Sequence, residues 1–124
     1  MAARGAWVGP AASLAVALVT GSFGGDHVAL DLGPGGGRVE FDCGAGTIDE
    51  PVRVAADGRF SVGGHIPAVA GGVSRAQEGG GQVVRYVGTA IADTVIFTVA
   101  TANGSPSPTY RVRRGQRPRL LRCR

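Results

Sequence analysis

The 124-residue chain contains no lysine, and all thirteen of its basic residues are arginine. A phosphate-binding loop ending in Gly-Lys-Ser/Thr is therefore excluded, and the glycine-rich stretch "GPGGG" (33–37) lacks that ending. Aromatic residues make up only 6% of the chain, and Tyr110 is the one aromatic near the arginine-rich C-terminal end. Specific nucleic-acid recognition, which uses aromatic side chains interleaved with basic ones, is therefore not predicted.

No segment of the chain shows a sustained helical period, and no apolar run is long and unbroken enough for a membrane-spanning helix. Instead, apolar and polar residues alternate with period two in several short stretches, as in "HVALDL", where Val28, Leu30 and Leu32 share one face. The 22 glycines cluster between such stretches, which is typical of short strands joined by tight turns. The sequence predicts an all-β domain: a small antiparallel meander, closed as an up-and-down barrel or, alternatively, folded as a sandwich. One long loop is expected at 67–82.

The N-terminal segment has one positive charge, Arg4, followed by an uncharged and mostly apolar run. Ala15-Val16-Ala17 supplies a small-x-small cleavage site, so residues 1–17 are predicted to be a signal peptide and 18–124 a single barrel-like domain. The alternative is that Leu14–Val19 is simply the first strand. No cysteine lies near this segment, so a lipid anchor is not indicated.

The chain has two cysteines, Cys43 and Cys123. Both are expected to face inward, Cys43 at the end of a strand and Cys123 on the same side as Leu121. In an exported protein such a pair predicts a disulfide, which would close a loop of about 80 residues and contribute roughly 4 kcal/mol. The alternative is two unrelated buried thiols in a cytosolic protein. The spacing of cysteines and histidines does not fit a structural zinc site.

Positive charge is concentrated at the C-terminus. Residues 1–110 hold six arginines against nine carboxylates, whereas the last fourteen residues hold seven arginines and no carboxylate side chain. The pattern predicts a terminal β-hairpin that turns at Gly115 and presents its arginines to solvent. The candidate anion-binding residues are Arg111, Arg113, Arg114 and Arg117.

The stretch "GSFGGDH" (21–27) is the most motif-like part of the chain. It predicts Phe23 as a plug at one end of the barrel and places Asp26 and His27 at the start of a strand. These three residues are the candidate ligand-binding site at the barrel mouth. His27 could also join a metal site with Asp26 and a third ligand such as His65 or Asp42, but a structural, hydrogen-bonding histidine at the rim is the favoured interpretation. No catalytic residue and no cofactor is predicted.

The same stretch, followed by a strand ending Phe41-Asp42-Cys43 and then by Asp57-Gly58-x-Phe60, resembles a group of small uncharacterised exported bacterial proteins. Their pattern runs Gly-x-aromatic-Gly-Gly-acid-His, Phe-Asp-Cys and Asp-Gly-x-Phe, and Phe23 stands where they usually carry Trp. The resemblance covers roughly residues 20–124. It implies export and a β-rich fold, and it brings no known activity or substrate.

Together these features predict a secreted or periplasmic, non-enzymatic binding or interaction module whose ligand is unknown. A first alternative is an anion-binding surface module that uses the C-terminal arginines and binds anionic polymers or surfaces weakly. A second alternative, ranked below it, is a metal-dependent hydrolase centred on His27.

Overall fold

The computed structural model describes residues 17–67, 81–102, 104 and 107–121. These residues form ten strands and no helix. The strands are β1 (Ala17–Leu18), β2 (Gly21–Gly25), β3 (Val28–Gly33), β4 (Gly36–Phe41), β5 (Gly44–Ile48), β6 (Arg53–Val54), β7 (Arg59–Ile66), β8 (Gln82–Ile91), β9 (Thr94–Thr101) and β10 (Tyr110–Arg114). Eight of them, all except β1 and β6, close an antiparallel barrel in the order β2-β3-β4-β5-β7-β8-β9-β10. The predicted up-and-down barrel is confirmed, and the sandwich alternative is wrong.

Alternation along the strands separates the core from the outer wall. Val28, Leu30 and Leu32 of β3 are buried, while Asp31 between them is exposed. The same parity holds around the barrel, because antiparallel partners point their side chains to the same face. The core side chains fill the barrel and leave an internal void of only about 10 Å³, which is about the size of a single water-probe sphere. This void, between the described core side chains, is too small for a ligand larger than water.

The antiparallel order places the turns at two ends of the barrel. The β2–β3 turn at His27, the β4–β5 turn at 42–43 and the residues before β10 lie at one end, called here the His27 end. The β3–β4 turn at 34–35 and the β8–β9 turn at 92–93 lie at the other, called here the Asp93 end. At the Asp93 end, β1 pairs with β6, and the neighbouring side chains of Val52 and Val54 are buried in the core.

The chain does not form the predicted terminal hairpin. It turns at Gly115 (φ 76°) after β10, and residues 116–121, called here the C-terminal strap, run back over the outer face of β2. Arg119 makes an isolated parallel bridge with Asp26: the Arg119 amide donates to the Gly25 carbonyl (3.0 Å), and the His27 amide donates to the Arg119 carbonyl (2.8 Å). The prediction fails because β10 pairs with both β9 and β2 in the closed barrel, which leaves a further strand no edge to join.

The placement of Cys43 also differs from the prediction. Strand β4 ends at Phe41, and Cys43 lies in the following turn with its residue exposed rather than facing the core. Side chains alternate between the two faces only within a strand. The alternation along β4 therefore does not determine the direction of Cys43, which follows the end of the strand. Its predicted partner, Cys123, lies outside the described residues.

Other predicted features fall partly or wholly outside the described part of the chain. Ala17, the last residue of the predicted signal segment, pairs with Val54 in β1, while residues 1–16 are not described. Residues 68–80 of the predicted long loop are likewise outside the described ranges. Within those ranges, no helix is long and apolar enough to cross a membrane.

Candidate functional site

A histidine–aspartate pair joins two turns at the His27 end. His27 adopts a left-handed backbone conformation (φ 72°) in the β2–β3 turn, and its Nδ1 lies 2.7 Å from Oδ2 of Asp42 in the β4–β5 turn. The sequence analysis favoured a hydrogen-bonding role for His27 at the rim, but it considered Asp42 together with His27 only as a possible ligand of one metal ion. Both side chains remain partly accessible, the histidine at 56% and the aspartate at 26%.

Asp42 is also the anchor for the C-terminal strap. Its Oδ1 accepts the backbone N–H of Leu121 at 2.8 Å. This bond, together with the one to His27, lowers the pKa of Asp42 below its ordinary value, since both stabilise the ionised carboxylate. An ionised Asp42 takes its hydrogen bond from the Nδ1–H of His27, which leaves Nε2 as the second polar atom of the ring.

Two concavities at the His27 end share lining residues. The first, of about 490 Å³, extends toward the β4–β5 turn, and the second, of about 400 Å³, extends along β10. We call the two together the His27 groove. Residues shared by both halves are Asp26, His27 and Thr109; the first half adds Phe41, Asp42, Cys43, Pro108 and Tyr110, and the second adds Gly24, Gly25, Arg111, Val112, Arg113 and Gln116.

Aromatic rings line the first half of the groove and connect it to the core. The rings of Phe41 and Tyr110 are 5.1 Å apart between centroids, and Tyr110 also packs on the buried Phe97 at 5.4 Å. Burial, and secondarily the negative charge of Asp42, raises the pKa of Tyr110. The phenol therefore remains a hydrogen-bond donor at neutral pH.

The four candidate arginines do not form one cluster. Arg111 and Arg113 are exposed on the outer face of β10 and line the second half of the groove. Neither forms an ion pair with a carboxylate in the described residues. Arg117 lies exposed in the strap, outside the groove.

Arg114 points to the opposite end of the barrel. Its Nε donates to Asp93 (3.1 Å), its Nη1 donates to the carbonyl of Thr20 (2.6 Å), and its guanidinium lies 4.7 Å from the centre of the Phe23 ring. Phe23 itself is 3% exposed and is buried under this arginine. The predicted ligand site is therefore divided: Asp26 and His27 meet in the groove, whereas Phe23 belongs to the core toward the Asp93 end.

A second histidine–aspartate pair lies elsewhere, on the outer wall between β5 and β7. His65 Nδ1 hydrogen-bonds to Asp49, whose other oxygen accepts the hydroxyl of Thr47 at 2.8 Å. His65 thus has its own partner and does not join His27. Within the described ranges, no three histidine, cysteine or acidic side chains are arranged to hold one metal ion.

Sequence analysis missed Phe41, Thr109 and Tyr110 as groove residues. The available signal was topological: in a meander, alternate turns lie at the same end, so the β2–β3 and β4–β5 turns meet the segment that precedes β10. No family model matches this chain, and the comparisons with curated proteins and with solved structures found no match.

Proposed function

We propose that this protein is a non-enzymatic binding module and that its ligand lies in the His27 groove. The observation that carries the proposal is the lining of this groove, which combines the Phe41–Tyr110 ring pair with the His27–Asp42 pair. A concavity of similar size, about 490 Å³, at the Asp93 end is lined by neither pair. A concave surface with an aromatic floor and a few converging polar groups is the usual form of a ligand site.

Catalysis is the weaker interpretation of the same geometry. A histidine whose Nδ1 is held by an aspartate can act as a general base, but it then needs a nucleophile hydrogen-bonded to Nε2. No described hydroxyl makes that bond to His27. The second partner of Asp42 is the amide of Leu121, so the pair serves to hold the strap at the rim.

A titration followed by nitrogen–proton correlation NMR tests the binding proposal. Libraries of short peptides, saccharides and small organic acids are added to the labelled protein. The shifts are expected to concentrate at Asp26, His27 and Thr109, and to leave the amides of the core strands and of the Asp93 end unchanged. Shifts confined to the Asp93 end or to the barrel interior would contradict the proposal.

A second candidate function, an anion-binding surface module, is favoured by the two unpaired arginines of the groove. Arg111 and Arg113 are both exposed, whereas Arg114 is engaged with Asp93. Retention on a heparin column is expected to fall steeply with salt, because such binding releases counterions. The double substitution of Arg111 and Arg113 by Gln should abolish it, and Arg53→Gln at the far end should not. Salt-insensitive retention would reject this function.

We also propose that the protein is exported to the periplasm or the cell exterior and that Cys43 and Cys123 form a disulfide. The hydrogen bond from Leu121 to Asp42 supports the pairing. Leu121 is two residues before Cys123 in the sequence, and Asp42 is the residue before Cys43. Two extended residues span about 7 Å, so the chain beyond Leu121 is long enough for Cys123 to reach Cys43. The resemblance to exported bacterial proteins supports the same conclusion.

Intact-mass analysis of protein expressed from the full reading frame tests export and disulfide together. The expected result is loss of the N-terminal segment and two thiols that are alkylated only after reduction. A full-length mass with two freely alkylated thiols would contradict both.

A further inference from the structure

The charges of the His27 groove are segregated along its length. Its β10 half carries Arg111 and Arg113, and the other half carries Asp42 together with the Phe41–Tyr110 ring pair. Asp26 lines both halves, and its Oδ1 lies 3.9 Å from Nε of the exposed Arg119. A ligand that fits this pattern has acidic groups at one end only.

We propose that the groove binds an extended peptide with two acidic side chains at alternate positions, followed by an apolar or aromatic side chain. This inference rests on the proposed function, because it names the ligand class for the same groove.

The spacing of the two arginines carries the inference. Arg111 and Arg113 are alternate residues on one face of β10, so their backbones are about 7 Å apart. Alternate side chains of an extended peptide have the same repeat of about 7 Å. Neither arginine is paired with a described carboxylate, so both guanidinium groups can form charge-assisted hydrogen bonds with acidic side chains.

The other half of the groove sets the register of the peptide. Half-buried Phe41 and Tyr110 offer an apolar surface, and Thr109 lines the groove beside them. An acidic side chain placed there would meet the negative charge of Asp42, and no arginine lines that half to offset it. Such repulsion favours a register in which the acids lie over the arginines and the apolar residue lies over the rings.

The same repulsion argues against a uniformly charged polymer. Nucleic acids and polyanionic saccharides carry charge along their whole length and would meet Asp42 wherever they continued past Arg111 into the other half. A peptide can limit its charges to two positions. The observations therefore favour a peptide over the other two classes of polymer.

Fluorescence anisotropy with labelled synthetic peptides tests the inference on the full mature chain. The probe has glutamates at two alternate positions and a tryptophan two positions further on; its isomer has the same composition with the glutamates adjacent. The alternating peptide is expected to bind roughly tenfold more tightly, because only it can pair with both arginines. Arg111→Gln and Arg113→Gln should each weaken its binding roughly tenfold.

Arg53→Gln is the matched control, since Arg53 is exposed and unpaired among the described residues but lies in β6, away from the groove. It should bind as the unchanged protein does. Thermal unfolding of each variant shows that the barrel is intact. Equal affinity for the two isomers, equal losses in all three variants, or no binding of either peptide would overturn the inference. If other compounds still shift the groove amides in the NMR titration, the ligand class is wrong while the binding function stands; if none does, both are wrong.

Discussion

The backbone amide of Leu121 donates a 2.8 Å hydrogen bond to Oδ1 of Asp42, although the two residues are 79 positions apart in the chain. The other oxygen of the same carboxylate accepts a hydrogen bond from His27. One side chain thus connects the β4–β5 turn, the β2–β3 turn and the C-terminal strap. Much of the wall of the His27 groove depends on this connection.

Gly24 should be required for docking of the strap. A Cβ added there would lie 2.1 Å from the carbonyl oxygen of Gln116 and 2.7 Å from the nitrogen of Pro118. Gly24→Ala is expected to lower the free energy of unfolding by about 1–3 kcal/mol, as overpacking against backbone does. Urea denaturation measures the loss. Gly44→Ala is the control, because a Cβ there meets nothing within 4 Å, and an equal loss in both variants would show that the strap does not lie on β2.

Stability should decrease in acid. The pKa of Asp42 is lowered, chiefly by the amide of Leu121, and that of Asp49 is lowered, chiefly by the hydroxyl of Thr47. In the unfolded chain these groups titrate near 3.8. As the pH falls through that value and then through the lower folded-state pKa, the unfolded state binds more protons, so unfolding is favoured. Urea denaturation as a function of pH should show constant stability at neutral pH and a decline below about pH 4.

Asp42→Asn should reduce the decline, and Glu40→Gln, at an exposed and unpaired site, should not.

Arg114 should act as a structural residue and Arg113 should not. Arg114 makes one hydrogen bond to Asp93, one to Thr20 and a cation–π contact with Phe23. Arg114→Gln is expected to destabilise the barrel by about 1–2 kcal/mol, a value reduced for its partial exposure. Arg113→Gln should change stability by less than about 0.5 kcal/mol. Thermal and urea denaturation separate the two, and the reverse order would contradict the assignment of Arg113 to the groove.

Removing the Tyr86 hydroxyl should not harm the fold. Tyr86 is 1% exposed, and its hydroxyl has no hydrogen-bond partner among the described residues. Burial, with a smaller effect from Asp49, raises its pKa to about 12. Tyr86→Phe is therefore expected to leave the free energy of unfolding unchanged or to raise it by about 1 kcal/mol. A decrease of more than about 1 kcal/mol in the free energy of unfolding, measured by denaturation, would show that the hydroxyl is hydrogen-bonded.

Local patterns account for the part of the fold that the sequence predicted. The inward direction of Val28, Leu30 and Leu32 follows from the alternation of side chains along one strand. The turn at Ala92–Asp93 is indicated by a stretch of only four residues, 91–94. Such features need no knowledge of distant partners, because each depends on neighbours along one strand or turn.

Long-range contacts account for the part that was missed. The Asp26–Arg119 bridge depends on barrel closure, which decides whether β10 has a free edge. The separation of Phe23 from His27 has a simpler cause: four residues of strand span about 13 Å, so the two side chains lie toward opposite ends. Parity alone does not indicate which end of the barrel a residue occupies.

The most direct test of the account is a comparison of ligand binding by two tryptophan variants. Thr109→Trp places an indole between the two halves of the His27 groove, whereas Ala56→Trp places one in an open concavity at the Asp93 end. Both positions are exposed, so neither change should disturb the core. Compounds that shift the NMR signals of the unchanged protein should bind Ala56→Trp with the same affinity and Thr109→Trp at least roughly tenfold more weakly. Undiminished binding by Thr109→Trp would contradict the assignment of the ligand site to the His27 groove.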